Sequence, residues 1–253
     1  MLRTMRKIGL VGGVAWQSTV QYYSEFCRRS ELWHTFSKRP GPPSTPEISI
    51  ESLDLATAVS YLGSDDDENS WSRFDDYHRA ALKRLEVSGA DFALIASNTP
   101  HHRLDTIVSG IRIPVISIID ALARKSVLIG ARQILLLGTD LTMRSQRFRK
   151  EFGKHGVEAA GPGDEAVRTM TTKLITELQR GNTTDASDQV AKIAHRCFDS
   201  LDLNRPVVCL GCTELSLAFE MMKTLSVFEY DGIVFINSVM VHIDSAFEFA
   251  VAS

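Results

Sequence analysis

What this chain lacks narrows its function before any motif is read. Neither G-x-G-x-x-G nor G-x-x-x-x-G-K-[ST] occurs, so the usual phosphate cradles for dinucleotides and nucleoside triphosphates are missing. No G-x-S-x-G elbow is present, which argues against a serine hydrolase. No apolar run approaches the roughly 20 residues that a membrane-spanning helix needs. Positive side chains are scattered and the formal net charge is −3. Neither nucleic acid nor an anionic membrane is therefore an expected partner. Cysteine is scarce, with four thiols at Cys27, Cys197, Cys209 and Cys212 in 253 residues. The opening "MLRTMRKIGLVGGVAW" places basic residues before an apolar run, but Gly12 and Gly13 break that run. An amphipathic segment follows, not a small-residue cleavage site. Reduced thiols and a soluble, cytoplasmic protein are the expectation. Cys209 and Cys212 form a single C-x-x-C. With no second C-x-x-C or suitably spaced histidine pair to complete a zinc site, no metal is expected.

What is present describes a folded α/β chain. Hydrophobic residues make up 44% and charged residues 23%, enough apolar mass for one large or two small domains. "KIGLVGG" reads as a buried strand ending in a glycine turn, and "STVQYYSEFCRRSEL" as a helix capped by Ser18 or Thr19. That helix places Val20, Tyr23 and Cys27 on one face. "KRPGPPSTP" is a loop, and the cations Lys38 and Arg39 at its start are expected to stay solvated. The acidic run from Asp65 to Glu68 is expected to be a solvated loop as well. A strand "EISIESLDL", a helix over 71–89, the strand "DFALIA", a strand "IPVISII" and a helix ending at Gly130 follow. After Ser97 a helix is expected, with Thr99 as cap and Pro100 at its first position.

From Ala131 the plan begins again: "ARQILLLGTDLTMRSQRFRKEFGKHG" parallels "MRKIGLVGGVAWQSTVQYYSEFCRR". Two helices around Gly181-Asn182 occupy about 165–203, and "DGIVFINSVMVHIDSAFEF" supplies a last strand and a terminal helix. Alternating strands and helices imply parallel sheets with helices on both faces. The repeat implies two similar Rossmann-like α/β lobes, residues 1–116 with 234–253 and residues 117–233, with the active site in a cleft between them. Ligands of open α/β sheets lie beyond the carboxyl ends of the strands. Ser97 ends one apolar strand and Cys212 ends another, "RPVVCLGCTELSL".

At such a strand end, backbone N–H groups and a helix dipole are expected to lower the pKa of the Cys212 thiol from about 8.5 and to hold a substrate carboxylate. Ser97 needs a neighbouring base to become reactive, and His101 or His102 is a candidate. Asn98, Thr99 and Thr213 are expected to donate hydrogen bonds to a small carboxylated ligand, with His101 orienting it or titrating. The loop from Gly12 to Thr19, including Gly13 and Val14, is expected to approach the ligand through its backbone.

The segments "GLVGGVAWQSTVQYY", "SNTPHH", "IPVISIIDA", "LLGTDLTM" and "LGCTEL", in this order and over nearly the whole chain, resemble the aspartate/glutamate racemase family. The resemblance implies two lobes related by pseudo-twofold symmetry, a small carboxylated amino acid as substrate, no cofactor, and a homodimer. It also implies two thiols that face the substrate α-carbon from opposite sides, one removing a proton and the other returning one. Cys212 matches the second thiol, which takes the proton from the L-enantiomer, and Glu214 of the same motif joins the substrate-binding set. Ser97 stands where the first thiol is expected, as a small hydroxyl residue does in some relatives. The resemblance therefore implies racemisation of L-aspartate or L-glutamate biased towards the L-to-D direction. Further departures are Ala15, Asn237 in place of an aspartate, and the segment "GSDDDENSW". Two alternatives stay open: a single-thiol decarboxylase or isomerase of the same superfamily, and a catalytically silent binding homologue.

Overall fold

The computed structural model describes residues 5–14, 16–64, 67–198 and 206–252. Ala15, the Asp65-Asp66 half of the acidic run and the tail expected to carry the second of two helices to 203 lie outside the described residues. The chain divides into two units, residues 1–117 with 243–253, and residues 118–242.

The first unit opens with β1 (Ile8–Gly12), α1 (Trp16–Phe36), β2 (Ile48–Ser52), α2 (Leu55–Ser60) and α3 (Ser72–Val87). It continues with β3 (Phe92–Ile95), a 3-10 turn (Thr99–Arg103), α4 (Leu104–Ile107) and β4 (Val115–Ile116). The four strands form one parallel sheet in the order β2-β1-β3-β4. Every residue of β1 and β3 is buried. Such unbroken apolar runs belong to parallel strands covered on both faces.

Helix α1 starts at Trp16, so Ser18 and Thr19, expected as caps, lie inside it. Its apolar inward residues are Tyr22 and Phe26, whereas Val20 and Tyr23 are exposed. Helix α3 turns Phe74, Ala81, Leu82 and Leu85 inward at helical spacing. Full burial of each such leucine or phenylalanine contributes about 1.5–3 kcal/mol. The segment "IPVISII" yields only a two-residue strand at 115–116 before a helix takes over. Glu68, from the acidic run, pairs with Arg103 at 2.6 Å, and Arg103 also holds the buried Asp75 at 2.8 Å.

The second unit runs through α5 (Ile118–Leu128), β5 (Gln133–Leu137), α6 (Asp140–Arg144), α7 (Gln146–Lys154) and β6 (Glu158–Ala160). Then come α8 (Glu165–Gln179), α9 (Ala186–Phe198), β7 (Val207–Leu210) and a 3-10 turn (Thr213–Ala218). Strands β8 (Val227–Tyr230) and β9 (Ile233–Asn237) follow, and α10 (Ser238–Val251) closes the chain. The sheet order is β6-β5-β7-β9-β8, with β8 as an antiparallel edge. Strand β9 pairs in parallel with β7, so residues 234–237 belong to the second sheet and not to the N-terminal lobe. The reason is its apolar run, Ile233 to Ile236, which a central strand buries on both faces.

Period-two alternation splits the core of this sheet. Leu135, Leu137, Val208 and Leu210 pack with α8 and α9, while Ile134, Leu136, Val207 and Cys209 pack with α5 and α7. Cys209 is thus a small apolar filler. Helix α10 returns to the first unit, where Phe249 meets Phe92 with ring centroids 5.0 Å apart and Ala250 accepts from the Arg6 backbone at 3.0 Å.

The two sheets share one order. β2-β1-β3-β4 corresponds to β6-β5-β7-β9, and Ser97 after β3 and Cys212 after β7 leave equivalent strands.

Candidate functional site

In the first unit, β1 and β3 lie side by side with Val11 beside Ile95, so Gly13 and Ser97 leave neighbouring strand ends. Gly13 has φ +88°, and a Cβ there would sit 2.2 Å from the Leu53 carbonyl oxygen. Only glycine suits that left-handed, crowded place. The Thr19 hydroxyl accepts from the Gly13 N–H at 2.9 Å, which ties the loop containing Val14 to α1.

Beyond β3, Ala96 donates to the Val11 carbonyl at 2.8 Å. Ser97 and Thr99 are half-buried and Asn98 is buried. The helix expected here is a 3-10 turn from Thr99 to Arg103, entered through Asn98 and not capped by the Thr99 side chain. His101 is fully buried, with its ring nitrogen 3.3 Å from the Ile95 carbonyl. That position suits support of the turn from beneath better than contact with a ligand. Arg39, which the sequence leaves in solvent, lies over the Trp33 ring at 3.7 Å.

The second unit assembles its counterpart at the end of β7. Gly211 donates to the Leu137 carbonyl at 2.6 Å, and a Cβ on Gly211 would fall 2.8 Å from Leu136 Cδ1. A larger residue there would have to displace that side chain. Cys212, in extended backbone, occupies the entry position of the 3-10 turn. Cys212, Thr213 and Glu214 are all buried. Glu214 collects the polar atoms around it. Its Oε2 accepts from Cys212 Sγ and from Thr213 Oγ1, each at 2.9 Å, and its Oε1 accepts from Gln179 Nε2 at 2.9 Å.

The expected lowering of the Cys212 pKa is overturned. Burial pushes it well above the ordinary thiol value, and the charge and hydrogen bond of Glu214 push it further. The backbone N–H groups of Glu214 and Leu215 pull the other way, and they lose. The segment after Cys212 is one short 3-10 turn, so the dipole expected of a longer helix is small. At rest Cys212 is a thiol donating to a carboxylate. In such a pair the carboxylate can serve as acceptor for the thiol proton, so no standing thiolate is needed.

Local sequence gave no sign of Gln179, which lies 35 positions before Glu214 and reaches it only through the packing of α8 on the 3-10 turn. Asn237 is also structural. It is fully buried, its Nδ2 donates to the Lys223 carbonyl at 3.0 Å, and its Oδ1 accepts from Val239 N at 3.1 Å to start α10. An aspartate could make the second contact but not the first.

Two features lie apart from these strand ends. A cavity of about 430 Å³ in the second unit is lined by Leu135, Pro162, Val167, Arg196 and Cys197, among others, and by none of the expected site residues. Asp120, Glu151 and His155 bring possible metal-ligand atoms within 4.8 Å of one another. Each already has a partner: Asp120 pairs with Arg124 and His155, and Glu151 with Lys154. No helix among the described residues is long and apolar enough to cross a membrane.

The Asp/Glu/Hydantoin racemase family pattern matches residues 11–246. The chain belongs to this family. An aspartate racemase homologue from Pyrococcus horikoshii OT3 is 28% identical, with 98% of this chain and 100% of that chain covered and a TM-score of 0.75. The aspartate racemase of Picrophilus torridus is 17% identical over 97% of this chain and 94% of its own, with a TM-score of 0.71. The glutamate racemase of Campylobacter jejuni subsp. jejuni is 19% identical over 96% and 85%, with a TM-score of 0.62. The two more distant structures establish the fold of this racemase family member, an α/β chain with two predominantly parallel sheets.

Proposed function

We propose that the protein is an amino-acid racemase that acts on L-aspartate or L-glutamate without a cofactor. The observation that carries the reading is the Cys212 thiol donating to the Glu214 carboxylate at 2.9 Å, beyond the end of a central parallel strand. Family membership and the resemblance to structures named as an aspartate racemase homologue, an aspartate racemase and a glutamate racemase support it.

In this reading the thiol proton passes to Glu214 Oε2 as the α-proton of the L-substrate passes to Sγ. The carbanion then takes a proton on its opposite face from the Ser97 hydroxyl, directly or through a water. Glu214 returns its proton to solvent and Ser97 is reprotonated from solvent, so the cycle balances. Asn98, Thr99, Thr213 and the backbone of Gly13 and Val14 hold the substrate carboxylates. Glu214 moves from the substrate-binding set to the proton-handling one. Ser97 makes α-proton exchange one-sided: an alcohol gives a proton to a carbanion far more readily than it takes one from carbon, so the L-enantiomer exchanges its α-proton faster than the D-enantiomer. The same reading takes the protein to be a cytoplasmic homodimer, which sedimentation can check for its assembly state.

The test is solvent deuterium uptake at the α-carbon of L- and D-aspartate and L- and D-glutamate. We expect uptake from the L side that Cys212→Ala abolishes; equal uptake from both enantiomers would refute the directional claim. The hydroxyl at Ser97 favours a second reading, a single-thiol decarboxylase that protonates an enediolate. Carbon dioxide released from a substituted malonate, without α-exchange of amino acids, would establish that one instead.

A further inference from the structure

Glu214 has a third partner whose role the racemase reading leaves open. Gln179 ends α8 and its Nε2 donates to Oε1 of Glu214 at 2.9 Å, while Oε2 of the same carboxylate faces Cys212 Sγ and Thr213 Oγ1. A carboxylate is planar and its two oxygens turn together. An amide that holds one oxygen therefore fixes the direction of the other, and its N–H draws off part of the negative charge. We propose that Gln179 is a positioning residue: its amide aims the Glu214 carboxylate at the Cys212 thiol and tempers its charge, thereby setting the reactivity of that thiol.

The surroundings leave Gln179 as the tuning group. The charged side chains flanking it, Glu177 on α8 and Arg180 just beyond its end, pair with each other at 2.8 Å. On α9, which also packs on the 3-10 turn, Asp188 is engaged by the Tyr230 hydroxyl. Thr213 is a neutral donor to the carboxylate oxygen that meets the thiol, and its hydroxyl offers no charge. Gln179 is itself solvent-exposed, so its effect is that of a screened group.

The inference rests on Cys212 being the proton-handling thiol, and its test separates the two claims. Cys212 is labelled with methyl methanethiosulfonate at pH 8.5 and followed at its own peptide by mass spectrometry, in wild type, Gln179→Leu and Gln179→Lys. Labelling tracks the thiolate fraction. Losing the donor leaves more charge on Glu214, so Gln179→Leu should slow labelling about threefold, whereas a cation at the same reach in Gln179→Lys should speed it about threefold or more. A merely structural role would slow or quicken both variants alike. α-Proton exchange of L-aspartate measured on the same proteins should show a changed kcat with KM nearly unchanged.

Ordered labelling, Leu below wild type below Lys, supports the positioning role even where no exchange occurs, and in that case only the racemase reading falls. Exchange in all three proteins with labelling rates that coincide, or that shift in the same direction, overturns the role of Gln179 and leaves the racemase reading intact. Should Gln179→Leu fail to fold, the comparison of Gln179→Lys with wild type decides alone, and a rate no faster than wild type overturns the proposal.

Discussion

Replacing Glu214 by glutamine should move two properties of Cys212 in opposite directions. Two unit charges 2.9 Å apart, the Sγ to Oε2 distance, repel by about 6 kcal/mol at an effective dielectric constant of 20. A thiolate and a carboxylate therefore do not coexist at this site, and the pair carries one negative charge between them. Glu214→Gln removes the repulsion and makes the thiol easier to ionise. The ceiling is about four pKa units, since one unit is about 1.4 kcal/mol. Burial, the largest cause of the raised pKa, stays. The variant thiol therefore remains protonated at neutral pH and has lost the carboxylate that accepts its proton.

We expect labelling of Cys212 by methyl methanethiosulfonate at pH 8.5 to rise at least tenfold, by about one pKa unit of the available four. Exchange of the α-proton of L-aspartate at pH 7 should fall by about 10²–10⁴, the usual contribution of a positioned general base. Site-resolved mass spectrometry and deuterium incorporation measure the two. If labelling and exchange both fall, or exchange is untouched, Glu214 is not the proton acceptor and the dyad has no catalytic meaning.

Ser97→Cys should raise exchange from the D-enantiomer at least tenfold while the L side changes little, because a thiol abstracts a proton far better than an alcohol; no gain in a folded variant would count against Ser97 as the second proton-handling group. Gly13→Ala combines a left-handed backbone, costing about 1–2 kcal/mol, with a Cβ driven against the Leu53 carbonyl. A loss of about 3 kcal/mol or more in urea denaturation is expected, and an unchanged midpoint would refute the crowding argument. His78 is fully buried on α3 with its pKa lowered by desolvation, against weaker opposing effects of the Phe74 carbonyl and Asp75, which is itself paired with Arg103. The unfolded chain therefore takes up this proton first. Stability from this group is complete above about pH 6.5 and is lost as the pH falls below it towards the depressed folded value. A urea midpoint that stays flat through that window, or a slope that His78→Gln retains, would show that other groups control the acid limb.

How far the sequence could be read depended on the range of each interaction. The strands ending at Ser97 and Cys212, helix α3 stopping before Gly89, and the doubled plan of the chain follow from apolar periodicity and turn chemistry, which act over a few residues. Strand β9 is legible as a strand but not as a member of the second sheet, because an apolar run marks a buried strand without naming the strand it pairs with. The segments after Ser97 and Cys212 form 3-10 turns where helices are expected, since a capping residue, with Pro100 in the first case, suits the start of either. Thr19 looked like a cap and instead holds Gly13.

The sequence by itself determined which residues end the strands, and so which side chains are available for chemistry: Ser97, Cys212, Thr213 and Glu214. Tertiary structure alone decided the state of Cys212. Its neighbour Glu214 is two residues away, but the carboxylate is also held by Gln179 from α8, and the burial that raises the pKa of the thiol comes from segments packed around it. Proton affinity is set by solvation and by charges at hydrogen-bond distance, and both are properties of the folded neighbourhood that no local pattern of residues encodes.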